Sequence, residues 1–264
     1  MSGIFDTHAH YCDSRFEDKF EGGASALLSA VFANGVDKII NVGTNTANNL
    51  EVIGMASKYS GMYAAVGVHP SDVDEEESLE DAISKLRDLL DKREEHKIGA
   101  LGEIGLDDHW RQDNKEKQAA FFEAQLSLAE EYDIPVVIHD REAHGDTFEA
   151  ILRHPKVRGV FHCYSGSPEM AKDLVRRGWY ISFTGVITYK NAPVVQASAL
   201  AVPLDRILVE TDAPYLSPIP YRSKINRSDY IEYTIRKIAE LHGISEDEIR
   251  DRTHENACKL FSIQ

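Results

Sequence analysis

Eight short apolar runs, most of them rich in Val and Ile and apolar on both faces, constrain this chain more than any other feature. They read Ile4–His10, Val36–Gly43, Tyr63–His69, Ile98–Leu106, Pro135–His139, Gly159–Tyr164, Tyr180–Gly185 and Ile207–Thr211. A strand buried on both faces needs cover on both sides, which is the situation of parallel strands joined by helices. Amphipathic stretches of helical length lie between the runs. Leu79, Ile83, Leu86, Leu89 and Leu90 form one apolar stripe; Phe121, Phe122, Leu126 and Ala129 form another. Ala171, Leu174 and Val175 mark a third, and Ile231, Ile235, Ile238 and Leu241 a fourth. All four read as core-facing surfaces without chemistry. About eight strands alternating with about eight helices fit an α/β fold of the (β/α)8 TIM-barrel type, with residues 1–264 as a single domain. A doubly wound open sheet competes, but no glycine-rich dinucleotide turn follows the first strand. No linker, internal repeat or low-complexity segment divides the chain. Ser245 followed by Glu248 reads as the capped start of a closing helix. The acidic run Asp72–Glu77 reads as a solvated helix start, where carboxylates suit the positive end of the dipole.

The polar residues fall at the ends of these runs. His8 and His10 are two apart, so on a strand they share one face and reach a common point about 7 Å along the axis. His69, Glu103, His139, His162 and Asp212 also stand at or just beyond run ends. In a barrel of this kind the C-terminal strand ends open on one face, so these groups are expected to converge. An imidazole or carboxylate in an apolar strand is costly unless paired or ligated. Neutral imidazoles with carboxylates are transition-metal ligands. The metal ligands expected are His8, His10, Glu103, His139, His162 and Asp212. Four histidines and two carboxylates exceed one tetrahedral site and fit two ions sharing a bridging carboxylate, with Glu103 as the bridge. Asp212 is expected both to ligate weakly and to take a proton from the attacking water, so Asp212 and Glu103 are the catalytic pair. Glu210 lies deeper on the same face and supports the site; Cys163 points the other way and reads as packed core. His96, His109, His144, His154, His242 and His254 fall on helices or loops, with only His109 and His144 near enough to site strands to matter.

The formal charge of -15 argues against a passive nucleic-acid coat, which is normally basic, but not against an enzyme with bound cations. No apolar run approaches a membrane span, and no signal peptide is expected ahead of a strand that starts so early. Cys12, Cys163 and Cys258 are scattered and odd in number, which points to a reducing, cytoplasmic setting.

Six stretches in order carry a family resemblance across essentially the whole chain. They are Phe5-Asp6-Thr7-His8-Ala9-His10, Gly67-Val68-His69-Pro70, Gly102-Glu103-Ile104-Gly105-Leu106-Asp107, Pro135 to Ala143, Phe161 to Ser167, and Glu210-Thr211-Asp212-Ala213-Pro214-Tyr215-Leu216. Together they resemble the TatD family of metal-dependent deoxyribonucleases among the amidohydrolase-like barrels. The resemblance implies that His8, His10, Glu103 and Asp212 hold one divalent ion, and Glu103, His139 and His162 the other. It also implies Mg-dependent or two-zinc nuclease activity running 3′ to 5′ on DNA. The family often has an aromatic pair after Gly-Leu-Asp, whereas Asp108-His109-Trp110 follows here. Its Arg-Gly-Lys-Arg-Asn-Glu-Pro is replaced by Arg222-Ser223-Lys224-Ile225-Asn226-Arg227-Ser228. These departures bear on the grip on substrate and leave the ligands intact.

The expected reaction is phosphodiester hydrolysis by metal-activated water, with Zn, Mg or Mn as the two ions, by a monomer acting on single-stranded DNA or 3′ ends. Arg141, Arg222 and Lys224 would hold phosphate oxygens, Tyr164 and Tyr215 would stack a terminal base, and His69 would hydrogen-bond substrate or a ligand. The rival enzyme is an amide or lactone hydrolase on a small molecule, because the same metal arrangement polarises carbonyls. A binding protein with a vestigial site is the other rival, and the complete ligand set speaks against it.

Overall fold

The computed structural model describes residues 2–110 and 113–264. Eight strands run in chain order: β1 Ile4–Ala9, β2 Val36–Val42, β3 Met62–Val66, β4 Ile98–Asp107, β5 Val136–Arg141, β6 Gly159–Phe161, β7 Tyr180–Phe183 and β8 Ile207–Val209. Ten α-helices lie among the described residues: α1 Ser14–Lys19, α2 Gly23–Ala33, α3 Thr46–Ala56, α4 Leu79–Leu90, α5 Lys115–Tyr132, α6 His144–Arg153, α7 Pro168–Arg176, α8 Pro193–Ala201, α9 Ile231–His242 and α10 Glu246–Phe261. The sheet order is β1-β2-β3-β4-β5-β6-β7-β8. The described pairings are parallel. A parallel bridge from Ala9 to Ala213 sets the end of β1 beside the segment after β8. This is the expected (β/α)8 barrel class. It exceeds the expected helix number because two helices, not one, separate β1 from β2 and two follow β8.

The chain forms two compact units, one from residues 2–41 with 163–264, the other Val42–His162. In the first, Phe5, Phe16, Leu28, Ile39, Phe183, Ile235 and Phe261 are buried, and Tyr11 stacks on Phe16 at 4.8 Å between ring centroids. Ser245 caps α10 as expected, its hydroxyl accepting the Glu248 amide at 3.2 Å. In the second, Met62, Leu86, Leu90, Leu101, Phe121, Phe122 and Ile138 are buried. The acidic run precedes α4 but serves a different helix. Glu76 accepts the Thr46 amide at 2.8 Å and its hydroxyl at 2.7 Å, which satisfies the N-terminus of α3. The cap of α4 is Ser78, whose hydroxyl accepts the Asp81 amide.

Two buried glutamines on α5 hold backbone groups that no strand satisfies. Gln125 accepts the Val68 amide at 2.8 Å and donates to the Val68 carbonyl at 3.1 Å. Gln118 does the same for Asp107, accepting its amide at 2.9 Å and donating to its carbonyl at 3.1 Å. Each glutamine therefore fixes the chain at a strand end. Gln125→Leu keeps the volume and strands both Val68 groups, so urea unfolding should show a loss of about 2–4 kcal/mol; unchanged stability would mean that water satisfies Val68 instead.

Candidate metal-binding site

In the unit that contains both chain ends, β1 and the segment after β8 are tied together by one buried carboxylate. Asp6 Oδ1 accepts the amides of His8 at 3.2 Å and Thr211 at 3.0 Å, and Oδ2 accepts the Thr211 hydroxyl at 2.6 Å. Burial pushes the Asp6 carboxyl up to about 7, against the lowering pull of these bonds and of Ser228. The Asp212 amide donates to the His8 carbonyl at 2.9 Å, and the His10 amide to the Ala213 carbonyl at 2.7 Å. Asp212 itself has φ 58, a conformation that Asp tolerates better than most residues. The result is a converging trio. The Nε2 atoms of His8 and His10 are 3.0 Å apart, and Asp212 Oδ1 lies 3.7 Å from the first and 3.4 Å from the second.

In the unit Val42–His162, the Glu103 carboxylate is the focus. Glu103 Oε1 lies 2.6 Å from His139 Nδ1, 2.7 Å from His162 Nε2 and 3.4 Å from His69 Nε2. Glu103 is only 3% exposed. The flanking glycines bring β4 this close to β5. A Cβ on Gly105 would overlap the His139 carbonyl oxygen, and one on Gly102 would press on Val137 at 2.7 Å.

The hydrogen bonds on the far side of each ring assign the tautomers. The Ser71 amide donates to His69 Nδ1 at 3.1 Å, so in the neutral ring the proton sits on Nε2 and points at Glu103. His69 is thus a donor to Glu103, although its position also satisfies the spacing of a metal group with Glu103 and His139. Burial holds the His69 imidazole below its ordinary pKa. His139 is arranged the other way. Its Nε2 faces Asp107 Oδ2 at 2.9 Å, which takes the ring proton and leaves Nδ1 directed at Glu103 and, 3.5 Å away, His162 Nε2. Burial lowers the His139 pKa, but the bonds to Asp107 and Glu103 win and hold it above the ordinary value. Burial raises the Asp107 carboxyl, yet the His139 bond and two loop amides bring it down to about 2.

These donor sets suit a divalent cation of borderline softness, since each offers imidazole nitrogens and a carboxylate oxygen aimed at one point. His8, His10 and Asp212 form one such group. Among the described residues no such group includes a cysteine. Cys163, expected in packed core, is half-buried, with its amide donating to Glu210 Oε1 at 2.6 Å. His109 pairs with Glu142 and His144 with Asp140, both at 2.8 Å, and neither belongs to a metal group.

The expected substrate residues separate by exposure. Tyr164 is buried, its hydroxyl donating to the Ser167 carbonyl at 2.7 Å. Tyr215 is 45% exposed, edge-on to His10 at 6.4 Å and covered by Arg15 at 4.1 Å. Arg222 is exposed and lies over the Tyr189 ring at 4.4 Å, and Lys224 is exposed nearby in sequence. Arg141 is exposed over Trp110. Asp6, Asp107 and Gln118 had no role in the sequence reading. The available signal was period two: Asp6 shares a face with His8, and Asp107 with Glu103.

The chain's similarity to known proteins agrees in kind. The family described as TatD related DNase matches residues 5–262. YabD of Bacillus subtilis, named an uncharacterized metal-dependent hydrolase, is 35% identical over 262 residues, covering 98% of this chain and 99% of that one. YcfH of Escherichia coli K12, named likewise, is 34% identical over 263 residues, covering 98% and 96%. Among solved structures, YjjV, a TatD homolog from Escherichia coli K12, superimposes with a TM-score of 0.89 at 31% identity, covering 99% of this chain and 98% of that one.

Asp107→Asn must present an NH2 either to His139 or to the loop amides, which disturbs the tautomer without removing a ligand. Calorimetric titration with Zn or Mn should show affinity reduced about 10- to 100-fold. Affinity equal to wild type would show that His139 needs no such partner.

Proposed function

Because this chain belongs to the TatD-related DNase family, we propose that this metal-dependent hydrolase is a deoxyribonuclease that removes nucleotides from DNA in the 3′ to 5′ direction. The observation that carries the reading is the pair of imidazole–carboxylate groups, His8/His10/Asp212 and Glu103/His139/His162, on the strands and the segments just after them. The proposed cofactors are two divalent ions, Zn, Mg or Mn, which these two groups would hold. Once bound, such ions polarise the scissile phosphate and lower the pKa of an attacking water.

The chain's own residues supply the rest. The Asp212 carboxylate receives the proton of the attacking water. His69 donates to Glu103 and so gives this buried carboxylate a polar partner. Arg141, Arg222 and Lys224 pair with non-bridging phosphate oxygens. Tyr215, exposed beside His10, offers its ring to a base, whereas the buried Tyr164 has no free face to offer. The proposed substrate is single-stranded DNA or a 3′ end, and the proposed working form is a monomer with residues 1–264 as one catalytic domain. Three scattered cysteines, an odd number, suit a cytoplasmic setting. No helix among the described residues is long and apolar enough to cross a membrane.

The test is release of label from 3′-labelled single-stranded DNA after chelation and restoration of metal. Wild type should release label with at least one of Mg, Mn or Zn. His8→Ala and Glu103→Ala should be slower by roughly 100-fold or more, as for loss of a direct catalytic contact. No release with any of these metals would sink the nuclease reading and send the same protein to amide and lactone substrates.

A further inference from the structure

Trp110 is the most exposed large apolar side chain among the described residues, at 66%. It is nevertheless held in a defined place by three contacts. Asp107 Oδ1 accepts the His109 amide at 2.9 Å and the Trp110 amide at 3.0 Å. The other oxygen of that carboxylate binds His139. The loop that carries the indole and the imidazole of the metal group therefore share one anchor. The Arg141 guanidinium, two residues past His139 on β5, lies 5.1 Å from the centre of the Trp110 ring. The His109 ring meets the indole edge-on at 4.9 Å and is itself fixed by Glu142 at 2.8 Å. An exposed indole wins nothing from burial, so this arrangement spends an apolar surface in water beside the candidate centre. Aromatic faces with a neighbouring arginine are the surfaces on which unpaired bases stack.

We propose that Trp110, steadied by Asp107 and flanked by Arg141, is a stacking platform for one nucleobase of the substrate strand, with Arg141 pairing the adjacent phosphate. This rests on the nucleic-acid reading above and adds a base-recognition site to it. The occupant is an unpaired base, because a base in a duplex has no face available to an indole.

The chain has 2 tryptophans, and Trp179 is buried at 3% exposure, so Trp110 reports separately as the solvent-facing emitter. The probe is a short single-stranded oligonucleotide with phosphorothioate linkages, which resists cleavage, titrated into the purified protein. Saturable quenching is expected in wild type. Trp110→Ala should lose the quenching and bind with a Kd raised roughly 5- to 100-fold, the range of one base–aromatic stack. Trp110→Phe should bind close to wild type, and circular dichroism should show all three proteins folded alike. An abasic strand of the same length should bind weakly and leave Trp110 emission unchanged. Equal Kd values for wild type and Trp110→Ala, equal quenching by the abasic strand, or no binding of the intact strand would each overturn the platform. Digestion of ordinary DNA is scored on its own. Digestion without any change in Trp110 emission defeats the platform and leaves the nuclease reading intact, whereas quenching without digestion under any metal does the reverse.

Discussion

The group in the Val42–His162 unit depends on giving the buried Glu103 carboxylate close polar partners. A carboxylate taken out of water loses several kcal/mol of solvation unless close partners replace it. The His69 Nε2–H, 3.4 Å from Oε1, is one such partner, and His139 Nδ1 and His162 Nε2 lie within 2.7 Å of the same oxygen. The far-side hydrogen bonds then divide their roles. Ser71 makes His69 a donor, and Asp107 leaves His139 with a lone pair toward the same point. His69 thus gives the carboxylate a hydrogen bond, while His139 presents a nitrogen that can ligate beside it.

The fold delivers those partners through backbone positions. Gly102 and Gly105 let β4 approach β5 so closely that Glu103 and His139 face each other. Gln118 clamps both backbone groups of Asp107 from α5, and Asp107 in turn orients His139. In the other unit Asp6 performs a comparable task, fixing Thr211 to β1 so that Asp212 faces His8 and His10. The ligands are few, and the polar residues behind them are what make their geometry specific.

The eight strands and the six ligand candidates were legible because burial on both faces leaves a continuous apolar pattern, in which a polar residue stands out; Glu103, expected at a run end, lies inside β4, four residues before its end. The exact strand ends were less so. The run Ile207–Thr211 stops as a strand at Val209 because Thr211 and Asp212 bond to Asp6 and His8. The run Gly159–Tyr164 stops at Phe161, since Cys163 turns to φ 43 and gives its amide to Glu210. Asp107 and Gln118 were opaque for another reason. A carboxylate at a strand end and a glutamine on an amphipathic helix are ordinary in sequence, and only the packing of α5 on β4 shows that they act together. Tyr164 and Tyr215 looked alike in sequence, and burial alone separates them.

The most direct measurement is anomalous diffraction from crystals grown with Mn or Zn, collected on both sides of the metal edge. Anomalous density is expected within coordination distance of His8, His10 and Asp212, and of Glu103, His139 and His162, with His69 still donating to Glu103. Density absent from both groups, with metal elsewhere on the surface, would contradict the claim that these residues hold cations.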